Sequence, residues 1–142
     1  MARIASLDYG LARIGVALSD ERGVVALPLQ TVKVEKTLQA TLLKLAELLK
    51  PYSIEKIIIG NPLNMNGSKS QMGEEVEKFK ALLETHFTCP IVLWDERLST
   101  VQAERALREA SLNWRKRKKV IDQSAATLLL QSFLEFNSLN MH

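Results

Sequence analysis

Three short apolar runs, separated by turn residues, open the chain at positions 4–7, 13–18 and 24–27. Apolar runs of this length between turn formers are typical of β-strands, and strands joined by short turns predict an antiparallel meander. Pro28 has no backbone N–H to donate. It therefore weakens the end of the third strand or places that strand at an edge of the sheet.

After the third run, the pattern of apolar positions changes to one that is typical of helices alternating with strands. Leucines at spacings of four, three and four residues predict a first helix, which Pro51 ends. Continuous apolar runs at 57–60 and 90–94 predict strands that are covered on both faces. A second helix, with Ser70 as its N-cap, fits the apolar positions between those two strands. The apolar positions of the two helices are Leu38, Leu42, Leu45 and Leu49, followed by Met72, Val76, Phe79 and Leu83.

Two more helices are predicted after the last strand. A Ser-x-x-Gln capping box at 99–102 starts a third helix, which runs through Ala110. A final helix, opened by Asp122, carries Ala125, Leu129, Phe133 and Phe136 on one face.

This order of elements predicts an α/β protein of the RNase H-like class. The sheet is expected to be five-stranded and mixed, an antiparallel meander extended by parallel strands and flanked by helices. The chain has 142 residues, which is the length of one domain, so residues 1–142 are expected to form a single RNase H-like domain. The actin-like ATPase fold shares this core but uses two such lobes, for which the chain is too short.

The formal net charge of +3 has a definite location. Residues 1–100 are balanced, whereas the last 42 residues hold the whole excess, and five of their seven basic residues form one run at 115–119. Trp114 precedes that run, and its ring could stack on an unpaired base while the cations contact phosphates. A charge run is usually a solvated loop, but nucleic-acid contact is favoured here because the run immediately precedes Asp122. The members of the run are Arg115, Lys116, Arg117, Lys118 and Lys119.

Composition excludes several other classes of protein. Cys89 is the single cysteine, so a disulfide-stapled secreted domain is excluded, and with only two histidines a zinc site is not expected. No apolar run reaches the length of a membrane span, and the N-terminus lacks the apolar stretch of a signal peptide. A soluble, cytoplasmic protein with no membrane contact is expected.

Acidic residues stand where the strands are predicted to end. Asp8 follows the first strand, Asp95 and Glu96 follow the last, and Asp122 lies on the inward stripe of the final helix. Several carboxylates that converge at one sheet edge suit Mg²⁺ or Mn²⁺, and two such ions can activate water for phosphodiester hydrolysis. Taken singly, each acid also fits a turn, a helix cap or a surface ion pair.

Four segments in the same order resemble the YqgF family. They are Asp8-Tyr9-Gly10-x-x-Arg13-Ile14-Gly15-Val16-Ala17, Ile59-Gly60-x-Pro62-Leu63-Asn64-Met65, Asp95-Glu96-Arg97-Leu98-Ser99-Thr100 and Ile121-Asp122-x-x-Ala125-Ala126. This family consists of RNase H-like bacterial proteins described as pre-16S rRNA nucleases and earlier as Holliday-junction resolvases. Each segment alone is weakly specific, but the set spans nearly the whole chain.

The resemblance implies a metal-dependent endonuclease that processes the 5′ end of 16S rRNA in ribosome biogenesis. Its catalytic, metal-binding acids would be Asp8, Glu96 and Asp122, with Asp95 as the reserve ligand and Mg²⁺ or Mn²⁺, as two ions, for the cofactor. The partner would be precursor 16S rRNA in a pre-ribosomal particle, bound by a monomer or a homodimer. A resolvase acting on branched DNA and a non-catalytic RNA-binding assembly factor remain alternatives.

Several residues outside the acids are candidates for nucleic-acid contact. Arg13 could meet a phosphate bidentately, or it could pair with Asp8 or Asp20. Arg97 lies next to the acids, and the basic run at 115–119 precedes Asp122. Asn64 and Asn66 lie in a polar loop whose side chains could contact sugars or bases, although the same residues suit an ordinary turn.

Glycines beside the acids have two interpretations. Gly10 and Gly15 could leave room for a phosphate or a metal ion near Asp8, or they could serve strand and turn geometry alone.

Overall fold

The computed structural model describes residues 2–61, 71–95 and 125–140, which form five strands and three helices. The elements in chain order are β1 (Arg3–Tyr9), β2 (Arg13–Ser19), β3 (Ala26–Lys33), α1 (Leu38–Leu49), β4 (Ile54–Asn61), α2 (Gln71–Glu84), β5 (Ile91–Asp95) and α3 (Ala125–Asn140). The third helix predicted from residue 99, the Ser70 cap and the loop at 62–68 lie outside the described residues.

The five strands form one mixed sheet in the order β3-β2-β1-β4-β5. β2 pairs antiparallel with both β1 and β3, whereas β4 pairs parallel with both β1 and β5. The predicted meander extended by parallel strands is therefore confirmed. β1 is the central strand, and the carboxyl ends of β1, β3, β4 and β5 meet at the same edge of the sheet.

The third strand differs from its prediction. It begins at Ala26 rather than at residue 24, because the Asp20 carboxylate accepts the backbone N–H groups of Val24 and Val25 and holds those two residues in the turn. It then continues through Pro28 to Lys33. Pro28 is tolerated inside the strand because β3 lies at the edge of the sheet and the pairing with β2 shifts register at this point.

Helices α1 and α2 cover one face of the sheet. Thr37 caps α1 by accepting the backbone N–H of Ala40 at 3.1 Å. From α2, the fully buried ring of Phe79 stacks on Tyr9 of β1 with a centroid separation of 4.8 Å. The leucines predicted to form one face of α1 include Leu42 and Leu45, and both are buried against this face.

Of the described helices, α3 is the one that covers the opposite face. Its buried residues Ala126, Leu130 and Phe133 pack with Ile4 and Ile58 in a second core cluster. The prediction of the buried face of this helix was partly wrong: Leu129 and Phe133 are buried as expected, but the other two predicted positions are not.

Ala125 is exposed, and Phe136 is 38% exposed. The buried stripe is centred one residue later, on Ala126 and Leu130, because α3 lies flat on the small residues of the central strands. Asp122 precedes Ala126 by four residues, which is also a helical spacing, but Asp122 lies outside the described residues.

A buried hydrogen bond fixes the start of α3 on the central strand. The Ser6 hydroxyl donates to the carbonyl oxygen of Ala126 at 2.6 Å, and the Ser6 side chain is fully buried. Ser6 and Asp8 are two residues apart on β1, so both lie on the face that α3 covers. The first turn of α3 is therefore held beside Asp8.

Candidate active site at the carboxyl edge of the sheet

Asp8 occupies the penultimate position of the central strand. The sequence placed it after the strand, but β1 includes it, and its side chain is half-buried on the α3 face. Gly15 of β2 pairs directly with Asp8. On the other side, the pairing of Leu7 with Ile59 brings the next position of β4, Gly60, beside Asp8. The carboxylate thus stands between two positions that carry no side chain.

The two glycines near Asp8 have different structural roles. A Cβ atom at Gly10 would lie 2.7 Å from the carbonyl oxygen of Arg13, so this glycine permits the tight hairpin between β1 and β2. A Cβ atom at Gly15 would lie 3.7 Å from the Asp8 Cβ and 3.5 Å from the Ala126 Cβ, which are ordinary contact distances. A methyl group would therefore fit at Gly15, in contact with Asp8 and with the start of α3.

Arg13 lies on the same face as Asp8, at the beginning of β2. It is exposed, and within the described residues it forms no ion pair with an acid. The suggested pairing with Asp20 is not present, because Asp20 pairs with Arg22 at 3.3 Å. The Arg13 guanidinium is therefore available for an anionic ligand.

Asp95 does not lie on the same face as Asp8. It ends β5 and pairs with Asn61, one position after Trp94. The Trp94 ring contacts Phe133 of α3, at a centroid separation of 5.2 Å. Strand alternation therefore places Asp95 on the opposite face, the one that α1 and α2 cover.

The remaining candidate residues lie outside the described residues. They are Glu96, Asp122, Asn64, Asn66, Arg97, Arg115, Lys116, Arg117, Lys118 and Lys119. Within the described residues, no group of three or more His, Cys, Asp or Glu side chains is placed to hold a metal ion. Asp8 is the catalytic candidate that the structure describes on the α3 face, and its carboxylate oxygens are of the type that hard divalent cations prefer.

Tyr9 and Cys89 are among the ionisable groups whose pKa values are raised by burial. Burial raises the pKa of Tyr9, and the charge of Glu75 raises it further. Burial likewise raises the pKa of the Cys89 thiol, so this cysteine is less readily ionised than a free one and is a poor nucleophile. Neither group is suited to act as a base at neutral pH.

Sequence reasoning missed Lys33 as a residue of this edge. The third strand was predicted to end near residue 27, whereas it continues to Lys33, which pairs with Arg13. Val32 is buried between exposed neighbours, and this alternation is the signal in the sequence that could have extended the strand.

The chain matches a family model over residues 2–136, and the description of that family is "RuvX: Holliday junction resolvase". Proteins named "Putative pre-16S rRNA nuclease" are also similar over almost their whole length. The protein from Bacillus licheniformis is 50% identical over 134 residues, which are 94% of this chain and 96% of the relative. The protein from Protochlamydia amoebophila is 46% identical over 140 residues, 94% and 93% of the two chains.

A solved structure shows the same fold. RuvC of T. thermophilus, in complex with a Holliday junction substrate, matches with a TM-score of 0.53 at 12% identity, over 76% of this chain and 73% of RuvC. The RNase H-like fold expected from the order of elements is thereby confirmed. The relatives and the family together support a nuclease role. None of the described helices is long and apolar enough to cross a membrane.

Proposed function

The chain belongs to the RuvX family of Holliday junction resolvases, and we propose that it is a metal-dependent endonuclease that cleaves precursor 16S rRNA. The observation that carries this proposal is the position of Asp8. A half-buried carboxylate lies at the carboxyl end of the central strand, and the neighbouring positions in the sheet, Gly15 and Gly60, carry no side chain that would crowd a phosphate. Ligands commonly bind at this end of sheets that contain parallel strands.

Asp8, Glu96 and Asp122 would hold Mg²⁺ or Mn²⁺, with two ions as the expected number. When bound, the ions supply an activated water and stabilise the leaving oxygen of the phosphodiester. Asp95 belongs to the opposite face by strand alternation, so Glu96 is preferred as the ligand that follows β5. The Ser6 hydrogen bond to Ala126 positions the start of α3, the helix that Asp122 precedes in the sequence, against the strand that carries Asp8.

The names of the curated relatives support RNA as the substrate. Arg13, Arg97, the two asparagines at 64 and 66 and the basic run at 115–119 would position the RNA backbone. The protein would act in the cytoplasm on a pre-ribosomal particle, as a monomer or a homodimer.

Cleavage of a precursor 16S rRNA fragment, with Mg²⁺ or Mn²⁺ and with a chelator, tests the proposal. Asp8→Asn and Asp122→Asn should each abolish cleavage while leaving the melting temperature nearly unchanged. Asp20→Asn is the matched control, because Asp20 lies in the turn at the opposite end of β2 from the site and should leave cleavage intact. Equal cleavage by Asp8→Asn and by the unsubstituted chain would refute the assignment.

A resolvase acting on branched DNA is the second candidate, favoured by the family description and by the fold shared with RuvC. Metal-dependent cutting of a four-way DNA junction, with the RNA fragment left intact, would select it. Binding of the RNA without any metal-dependent cleavage would instead indicate a non-catalytic assembly factor.

A further inference from the structure

Two basic side chains stand directly opposite each other at the site edge of the sheet. In the antiparallel pairing of β2 with β3, Arg13 is the partner of Lys33. Residues that pair directly have Cβ atoms about 4.5–5.5 Å apart and side chains on one face. The two cations are therefore immediate neighbours, although 20 positions separate them in the sequence.

The pair lies on the same face as Asp8. Ile14 and Val32, the neighbours of the two cations along their strands, are buried in the core beneath α1 and α2. Alternation therefore places Arg13 and Lys33 on the α3 face. Arg13 is two residues from Gly15, the partner of Asp8, so the pair lies about 7 Å beyond Asp8 along the strand direction.

Among the residues that the structure describes, no acidic side chain forms an ion pair with Arg13 or Lys33. Like charges directly opposite each other destabilise a sheet, yet both side chains are exposed. Glu35 follows Lys33 closely, but its carboxylate is held by the Lys44 ammonium at 2.6 Å. Lys44 is also the main cause of the lowered pKa of Glu35, and Lys33 contributes least.

We propose that Arg13 and Lys33 together bind one phosphate of the RNA backbone. This contact would direct the RNA from Asp8 across β2 to the edge strand β3. The guanidinium of Arg13 suits bidentate contact with phosphate oxygens, and the Lys33 ammonium adds a second positive charge. This inference rests on the proposed function for the identity of the ligand as RNA. It adds Lys33 to the RNA-binding surface and gives the path of the RNA over the sheet a direction.

The test measures binding of a short fluorescein-labelled single-stranded RNA by fluorescence anisotropy over a range of salt concentrations. The full chain carries Asp8→Asn throughout, so that the probe stays intact. Because both cations are needed to hold the one phosphate, Arg13→Gln, Lys33→Gln and the double substitution should each reduce the magnitude of the slope of log K against log salt by about 0.7, the value for one phosphate of a single strand. If a variant and the unsubstituted chain bind equally in 1 M salt, that difference in slope makes the variant bind about fivefold more weakly at about 0.1 M salt.

Two control variants sharpen the result. Lys78→Gln removes one charge from α2, on the other face, where the Lys78 side chain is 70% exposed, and it should leave the slope unchanged. Lys33→Arg keeps the charge and should keep the slope. Because Arg13→Gln and Lys33→Gln relieve repulsion, neither should lower the melting temperature.

A slope for Lys33→Gln equal to that for Lys78→Gln would overturn the inference, as would a slope loss seen with duplex DNA but not with RNA. These outcomes leave the proposed function standing if metal-dependent cleavage still requires Asp8. Conversely, cleavage that does not require Asp8 would refute the proposed function. A smaller salt dependence of RNA binding for Lys33→Gln would still support the phosphate site.

Discussion

Gly10 and Gly15 should respond with opposite sign to the same substitution by alanine. At Gly10 the new Cβ would lie 2.7 Å from the Arg13 carbonyl oxygen, about 0.6 Å closer than a short C–H···O contact of about 3.3 Å. Adding a methyl group where there is no room costs about 1–3 kcal/mol. Alanine also lowers the conformational entropy of the unfolded chain, which stabilises the folded state by about 0.4–1 kcal/mol. Gly10→Ala should therefore lower the free energy of unfolding by about 1–2 kcal/mol.

Gly15→Ala is the internal control for this reasoning. Its new Cβ would lie 3.5 Å from Ala126 and 3.7 Å from Asp8, both at ordinary contact distance. The restriction of the unfolded chain then dominates, and the variant should gain about 0.4–1 kcal/mol. Neither glycine has a positive φ; among the described glycines, Gly23 alone has one.

Urea unfolding followed by far-UV circular dichroism measures both changes, and melting temperatures should move by roughly 3 °C per kcal/mol. Gly10→Ala should melt below the unsubstituted chain and Gly15→Ala at or above it. A Gly10→Ala variant at least as stable as the unsubstituted chain would refute the reasoning, since it would mean that the hairpin relaxes at no cost. Gly15→Ala should nonetheless cleave RNA more slowly, because its methyl group fills the space beside Asp8.

Three further variants test the packing and the turn chemistry. Ser6→Ala removes the buried 2.6 Å hydrogen bond to Ala126 and should lower the free energy of unfolding by about 1–2 kcal/mol, measured in urea; no loss would mean that this bond is not needed to hold α3. Phe79→Ala empties a fully buried position against Tyr9 and should cost about 3–5 kcal/mol by the same assay, and a cost below about 1 kcal/mol would contradict the packing described. Hydrogen bonds from the backbone of Val25 and Val24 lower the pKa of Asp20 below its ordinary 3.8, so its contribution to stability is present above that pH and is lost as the pH falls through the folded-state pKa. Melting temperatures between about pH 5 and 2.5 should therefore fall less steeply for Asp20→Asn than for the unsubstituted chain, and parallel curves would contradict this origin of the shift.

The hydrophobic period was sufficient to predict most of the elements. The leucine spacing predicted α1, and the observed helix has the bounds Leu38–Leu49. The apolar runs predicted the other strands within a few residues, because a buried strand excludes polar side chains on the faces that it covers. The end of β3 was missed, since an edge strand leaves most of its side chains exposed and gives a weak pattern.

The candidate site was only partly predictable. Asp8 was proposed from its position after an apolar run, and Glu96 was favoured over Asp95 without a pattern in the sequence that decides between them. Strand alternation beyond Trp94 separates Asp95 from the face of Asp8. That separation depends on which residues of β5 face α3, and a five-residue strand with apolar residues on both faces does not reveal this in its sequence.

The sequence by itself determined the class of fold, the order of the strands and helices, and the acidic residue at the end of the first strand. These features follow from local patterns of burial and turn formation, which neighbouring residues encode. The tertiary structure decided which distant residues meet: Gly15 with Asp8, Ser6 with Ala126, and Arg13 with Lys33. Strand register and helix docking determine which of these residues are in contact, and both depend on the packing of the whole sheet. A shift of one residue in the register of a strand would turn every side chain of that strand to the other face.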